Sequence, residues 1–341
     1  MLRSPAELLF EKLSGIVCLF KPADMRLQNF LPIVQARLAT AFNDMPCRPP
    51  DQRVDIICDT RTGKELVKTS LDLADTVQAL GPRYLAEDFE FTSILPLRRF
   101  SSGVQILAIN DNSRKLKDIE DGQPIRSYLL KGKFGESTDT LDANGVIVEK
   151  SRYKHISTSK IEQVLALIQN SFQATMYKLS GISPFTQAGY DLAKVGLWKP
   201  RDHTLPPIVY GLKLLEYKPP YFKIEIHALN EDEIHLKEVV VDIGVRLRTS
   251  SVSESVRRTN IGPFKVEHAL SLDEITPETL LENMKNSERL IEEANLLDKT
   301  ILIGKSHNEE VKIVGRKPYD NVTDIYQTKK SAYKTSEQMD L

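Results

Sequence analysis

The sequence predicts an α+β protein built around a mixed or antiparallel sheet, not a doubly wound one. Two segments alternate apolar and polar residues with the period of a half-buried strand: Val104 to Ile109, and Phe222, Ile224, Ile226 and Ala228 between Lys223, Glu225 and His227. The helical patterns are few and isolated, with none of the regular strand–helix alternation of a parallel sheet. With 341 residues, 41% of them hydrophobic, the chain can bury a substantial core as one large domain or two smaller ones.

Along the chain, Met1 to Ser14 carries Arg3, Lys12 and an apolar stripe of Leu8, Leu9 and Leu13, but also Glu7 and Glu11. Transit peptides are poor in acids, so this stretch is a poor presequence and reads equally well as an arm or first helix. Ile16 to Phe20 is a short apolar run stopped by Lys21-Pro22, a buried strand entering a loop. Asn43 to Asp51 is polar and reads as a surface loop. Ile161, Val164, Leu165 and Ile168 repeat at helical spacing, and Ser159 with Glu162 offers a capping box at their start. Leu236, Val239, Val240, Ile243 and Leu247 predict a second amphipathic helix ending near Gly244. Thr276 before Pro277 opens a third, carrying Leu280, Leu281, Met284 and Ile291. The last forty or so residues are charged and poor in large apolar groups, and Lys329 to Leu341 reads as a disordered tail. The expected organisation is an arm over 1–12, one domain over 13–270, a C-terminal helix over 271–298 and a polar, partly disordered tail over 299–341.

Acids and bases nearly balance, at a formal net charge of −1, although RNA-binding domains are usually basic. The charges are unevenly placed. Residues 231–238 and 273–293 are rich in acid, whereas Arg98, Arg99, Arg114, Lys115, Lys117, Arg126, Lys131 and Lys133 crowd one stretch, and Arg246, Arg248, Arg257 and Arg258 another. One such run is ordinarily a solvated face; two bracketing the same motifs point to a phosphate-binding surface. Cys18, Cys47 and Cys58 form neither a disulfide framework nor a zinc pattern, which suits a reducing compartment. The six histidines lack metal spacing, Gly63-Lys64 lacks the rest of a phosphate loop, and Ser101 has no histidine and acid near it in sequence. No apolar run approaches the ~20 residues needed to cross a bilayer.

The informative block is Arg126-Ser127-Tyr128 followed by Phe134-Gly135-Glu136-Ser137-Thr138-Asp139-Thr140-Leu141-Asp142-Ala143-Asn144-Gly145. By itself it reads as a strand and a Gly-rich loop whose Thr and Asp side chains bond their own backbone. The spacing of Tyr128 to Thr138-Asp139-Thr140-x-Asp142-x-x-Gly145 also resembles the TruB-type pseudouridine synthases. Weaker matches keep the family's order: Gly15 to Pro22 is similar to its opening strand and Lys-Pro turn, with Asp24 in place of the usual glycine. Gln173 to Tyr177 resembles its segment before an RNA-facing helix, with Tyr190 on that helix, and Asp242-Ile243-Gly244 with Val256-Arg257-Arg258 resembles its closing helix and Leu-Arg-Arg strand. The resemblance runs from about residue 13 to 270.

It implies the pseudouridine synthase fold and an enzyme that flips a uridine from RNA and rearranges it without cofactor or metal. Tyr128 would stack on the flipped base, and Arg257 and Arg258 would hold the backbone that offsets the unstacking cost. By the same resemblance Lys21, Arg98, Thr138, Asp139, Tyr177 and Tyr190 are candidate RNA-binding residues. The family's nucleophilic aspartate stands five residues before a glycine. The corresponding glycine is Gly103, and counting back five gives Arg98. A guanidinium stays protonated and cannot attack as an anion. If it took the aspartate's place it would face Arg257 or Arg258, which is unfavourable without an anion between them. Asp88, Asp139 and Asp142 are weak replacements.

The expectation is therefore an RNA-binding protein on this scaffold with its isomerase activity in doubt. The alternatives are an active uridine-to-pseudouridine isomerase of mRNA, rRNA or tRNA, and a protein-interaction subunit of an RNA-processing assembly. After residue 270 too little β pattern remains for the family's PUA barrel. In this the chain resembles the short homologues of animal mitochondria, and mitochondrial placement follows from that resemblance alone.

Overall fold

The computed structural model describes residues 4–46, 51–58, 65–110, 113–190 and 206–294. In chain order the elements are α1 (Pro5–Lys12), β1 (Gly15–Lys21), α2 (Leu27–Asp44), β2 (Gln52–Cys58), β3 (Glu65–Leu71), α3 (Val77–Leu80), β4 (Phe91–Ser93) and β5 (Ser102–Ile109). There follow α4 (Ser113–Asp121), β6 (Arg126–Phe134), β7 (Glu136–Thr138), β8 (Ile147–Lys150), α5 (Thr158–Ser180), β9 (Ile208–Lys218) and β10 (Tyr221–Leu229). The described residues close with α6 (Glu233–Arg246), β11 (Ser251–Ile261), β12 (Phe264–Lys265) and α7 (Pro277–Glu293). The expected α+β class is what forms: one eight-stranded mixed sheet in the order β1-β5-β11-β6-β10-β9, with β4 on β5 and β12 on β11. Only the β11–β5 pairing is parallel; the others are antiparallel.

The three helices expected from periodicity are present. Asp232 caps α6 by accepting from the Glu233 amide, and the helix runs two residues past Gly244 to Arg246. Thr276 caps α7 with Pro277 at its first position, a site where proline's missing N–H costs nothing. Within the expected 271–298 helix, α7 occupies Pro277–Glu293, and residues 295–341, the expected tail among them, lie outside the described residues. Within the expected arm over 1–12, the described residues form a helix: Ser4 and Glu7 make a reciprocal capping box on α1, and Ala6 and the following Leu13 are buried. The expected loop after Asn43 begins only at Met45, and the β2–β3 hairpin had no clear sequence signal.

Helices cover the sheet so that its central strands bury both faces. Val17 and Leu19 of β1 pack with Phe30, Val34 and Phe42 of α2 and Leu280 of α7. Ile16 and Cys18 point the other way, toward Ile106, Leu116, Ile119 and Phe264. A third cluster joins Tyr128, Leu130, Ile224, Ile226 and Val256 to Ile161 and Leu165 of α5 and Val240 and Ile243 of α6. Edge strands expose unpaired backbone, and β1 has its edge covered. The Cys18 amide donates to Asn283 Oδ1 at 2.8 Å, while Asn283 Nδ2 donates to the His268 carbonyl at 2.7 Å. The C-terminal helix is thus a structural part of the sheet's margin.

Strand register places one row across the sheet. Arg258 of β11 lies opposite Tyr128 of β6 on one side and Gly103 of β5 on the other. Gly103 has φ 118°, and a Cβ there would stand 2.1 Å from the Arg258 carbonyl oxygen, so only glycine fits.

Candidate functional site

At one end of this row opens a cleft of about 300 Å³, walled by the loop Leu95–Ser101 and by the turn Glu231–Glu233 that starts α6. Tyr128, Arg126 and Arg258 line it from the sheet. Sequence separation hides the assembly: β10 lies beside β6 with Ile226 opposite Tyr128 and Ala228 opposite Arg126. Asn230, at φ 56°, then turns the chain. The next residue, Glu231, ends over the sheet residues that its strand had just passed.

Glu231 is the residue the sequence did not single out. The Tyr128 hydroxyl donates to Glu231 Oε1 at 2.5 Å, and Arg126 Nε lies 2.7 Å from the same oxygen as an ion pair outside hydrogen-bond alignment. The Glu231 and Arg126 side chains are 2% and 8% exposed. Glu231 Oε2 is buried with no hydrogen-bond partner among the described residues. Burial, then the neighbouring Glu231 carboxylate, raises the Tyr128 pKa, so the phenol remains a donor. In sequence, Glu231 belongs to an acidic run read as a solvated helix start; only its place two residues beyond a strand paired with Tyr128 could have flagged it.

Arg98 does not face Arg257 or Arg258, as the resemblance had suggested. Its guanidinium crosses from one wall to the other and donates to Asp232 Oδ2 at 2.6 Å, with side-chain exposures of 57% and 37%. Arg258 is buried and each of its three guanidinium nitrogens donates to protein: Nε to the Val104 carbonyl at 2.8 Å, one terminal nitrogen to the Leu95 carbonyl at 2.8 Å, the other to Gln105 Oε1 at 3.0 Å. Burial lowers its pKa, and a guanidinium so placed acts as a brace between β5, β11 and the Leu95 loop.

Several expected RNA-binding residues are likewise supports. Lys21 is buried, donating to the carbonyls of Pro22 at 2.9 Å and Ser101 at 2.7 Å, and burial pulls its pKa down to about 8 against the attraction of Glu233. Thr138 is buried and donates to the Asp142 carbonyl at 2.7 Å. Asp139 is exposed but closes its own loop, accepting from the Val146 amide at 2.8 Å. Gly145 is forced by that closure, since a Cβ would stand 2.2 Å from Thr140 Oγ1. Besides Arg98 and Asp139, three further candidates reach solvent to some degree: Arg257 is exposed with its guanidinium 5.2 Å from the Phe20 ring centre, Tyr190 is 63% exposed, and Tyr177 is half-buried on α5.

A buried charge relay ties the walls together. Lys237 of α6 bridges Asp142 Oδ2 at 2.8 Å and Glu233 Oε1 at 2.9 Å, and sits 4.5 Å from the Phe100 ring centre. Glu233 Oε2 accepts from both the amide and hydroxyl of Ser101, at 3.1 and 2.6 Å. Burial acts to raise the Asp142 pKa, but the hydrogen bonds from Lys237 and Thr140 outweigh it and hold the carboxyl below its ordinary value. Asp142 is thus a loop-holding group rather than a free nucleophile. The same relay fixes the loop that carries Arg98.

Comparison with known proteins gives these residues a lineage. The sequence model described as TruB family pseudouridylate synthase (N terminal domain) matches residues 97–234. The mitochondrial pseudouridylate synthase TRUB2 of Xenopus tropicalis is 31% identical over 268 residues, spanning 77% of this chain and 82% of that relative. The chain belongs to the TruB family. Human mitochondrial TRUB2 is 28% identical to this TruB-family chain over 265 residues, covering 76% of it and 79% of the human protein. Among solved structures, the archaeal box H/ACA sRNP Nop10–Cbf5 complex aligns with 86% of the chain and 60% of its own, at 14% identity and a TM-score of 0.42. Among the described residues no His, Cys, Asp and Glu cluster could hold a metal ion, and no helix is long and apolar enough to cross a membrane.

Proposed function

We propose that this TruB-family chain is an RNA-binding protein of mitochondrial RNA that receives a flipped nucleoside in its cleft without isomerising it by the family's route. The observation that carries this reading is Arg98. At the position five residues before Gly103, where the resemblance implies a nucleophilic carboxylate, stands a cation ion-paired with Asp232. No step requiring an anion there can proceed, and loss of an essential nucleophile costs on the order of 10⁴ to 10⁶ in rate. The mitochondrial assignment rests on the names of the TRUB2 relatives. RNA contact would draw on the exposed Arg98 at the mouth, with the exposed Arg99 next to it in sequence and Arg257 on the other face of β11, while Arg258 and Lys21 hold the frame.

A second reading is favoured by one observation: a carboxylate does stand beside the tyrosine, that of Glu231. On this reading Glu231 takes the absent aspartate's part and the chain is an active isomerase. Its Oε1 is held by Tyr128 and Arg126 and the side chain is 2% exposed. A nucleophile must come within about 3–3.5 Å of the reacting atom, which this arrangement opposes.

Isomerisation moves the glycosidic bond from N1 to C5 and expels the C5 hydrogen. Purified protein is therefore incubated with mitochondrial RNA carrying tritium at uridine C5. The expected result is RNA binding with no tritium release above background. Release that disappears in Glu231→Gln overturns this reading and establishes the second one.

A further inference from the structure

We propose that the apolar face of the β2–β3 hairpin is a self-association surface, on which a second copy of this chain packs its own hairpin about a two-fold axis.

The hairpin forms a sheet of its own. Its two strands pair along their whole length, from Gln52 with Leu71 to Cys58 with Glu65, and among the described residues neither pairs with any other strand. Its base is tied down: the Asp72 amide donates to the Asp51 carbonyl at 2.8 Å, and the Asp51 amide donates to Asp75 Oδ2 at 2.9 Å. Cross-strand partners share a face, so the register sorts the side chains. One face carries Arg53, Asp55, Lys68 and Ser70, with Ile57 also exposed there. On it Arg53 Nε lies 2.8 Å from Asp55 Oδ1, and the Ser70 hydroxyl donates to Asp55 Oδ2 at 3.1 Å. The other face presents Val54, Ile56, Val67 and Leu71, each between 59% and 67% exposed, beside the neutral Gln52 and Thr69. A lone two-stranded ribbon is marginally stable in water, and covering an apolar face stabilises it.

Charge and area select the occupant. Asp51, Asp55, Glu65 and Asp72 outnumber Arg53 and Lys68 on the described hairpin, so RNA and anionic membranes are repelled. The middle of the apolar face is uncharged and gives an oppositely charged partner nothing to match, whereas a second copy meets it with the same apolar surface. Glu65 stands only at the far end of that face. A two-fold axis across the strands sets the hairpins head to tail and keeps the two Glu65 carboxylates apart. The four apolar side chains expose roughly 400 Å² per copy, so a face-to-face pair covers on the order of 800 Å², the scale of a weak, reversible dimer.

The test is sedimentation velocity of the full-length protein from about 1 to 100 µM, repeated at about 0.5 M salt. The expected result is a monomer–dimer equilibrium that moves toward dimer with concentration and does not weaken in high salt, because apolar contact is not screened. Ile56→Thr and Val67→Thr keep a β-branched side chain suited to a strand while making the face polar, and thermal melting checks that each is folded. Each substitution acts twice in a symmetric contact and should weaken dimerisation by about ten-fold or more, whereas Lys68→Ala on the opposite face should not. A wild type that stays monomeric across the whole range overturns the proposal. Flotation of that monomer with phosphatidylcholine vesicles would assign the face to a lipid surface instead. Dimers that both threonine variants form as well as wild type, or that high salt dissociates, also overturn it, because another surface would then join the copies.

Discussion

The Tyr128 hydroxyl donates a 2.5 Å hydrogen bond to Oε1 of Glu231, 103 residues away, and so fixes the ring at the floor of the cleft. Tyr128→Phe deletes this donor and leaves Arg126 alone against a buried carboxylate. The expected cost is about 1–3 kcal/mol of unfolding free energy, read from urea denaturation. In a double-mutant cycle with Glu231→Gln the two substitutions should couple, because they share one hydrogen bond. Strict additivity would mean that the contact contributes nothing.

Lys237→Met leaves Asp142 and Glu233 as two buried anions with no cation between them. Breaking such a bridge costs about 3–5 kcal/mol, so this variant should be strongly destabilised at neutral pH. The pH dependence has a definite sign. The folded-state pKa of Asp142 is held below its ordinary value of 3.8, so its contribution is present above about pH 3.8 and is lost as pH falls through the lower, folded value. Lys237→Met should therefore narrow its deficit against wild type as the solution is acidified below pH 3.8. A deficit independent of pH in that range would show that the lysine acts by packing on Phe100 instead.

Arg98→Ala separates the mouth from the frame. The Arg98–Asp232 pair is well exposed, and pairs of this kind contribute at most about 1 kcal/mol, so the melting temperature should hardly move. RNA affinity should fall, and the slope of log affinity against log salt should drop by about one, the signature of one lost phosphate contact. A large loss of stability with an unchanged salt slope would place Arg98 among the supports with Arg258.

Much of the fold was legible because periodicity and caps are local. The strand at Val104–Ile109 and the helices carrying Ile161, Leu236 and Leu280 were read from their periodicity. The expected Ser159–Glu162 capping box does not form: that helix begins at Thr158 behind Ser157, which makes no side-chain cap. Gly103 is demanded by Arg258 on a paired strand rather than by its neighbours in sequence. The β2–β3 hairpin had no clear signal because its strands, with Ile56 and Val67 exposed, do not follow the buried-face alternation that marks a strand in sequence.

The sequence by itself determined the α+β class, the family motif around Tyr128 and Thr138-Asp139-Thr140, and the presence of a cation five residues before Gly103. Tertiary structure decided what those residues face. Charge and motif give a residue's chemistry, but burial and partner depend on which strands pair. Arg258 became a brace and Arg257 remained exposed because adjacent strand residues point to opposite faces. Glu231 became the carboxylate nearest the tyrosine because β10 pairs with β6 and turns at Asn230, a relation between segments about 100 residues apart that no local pattern encodes.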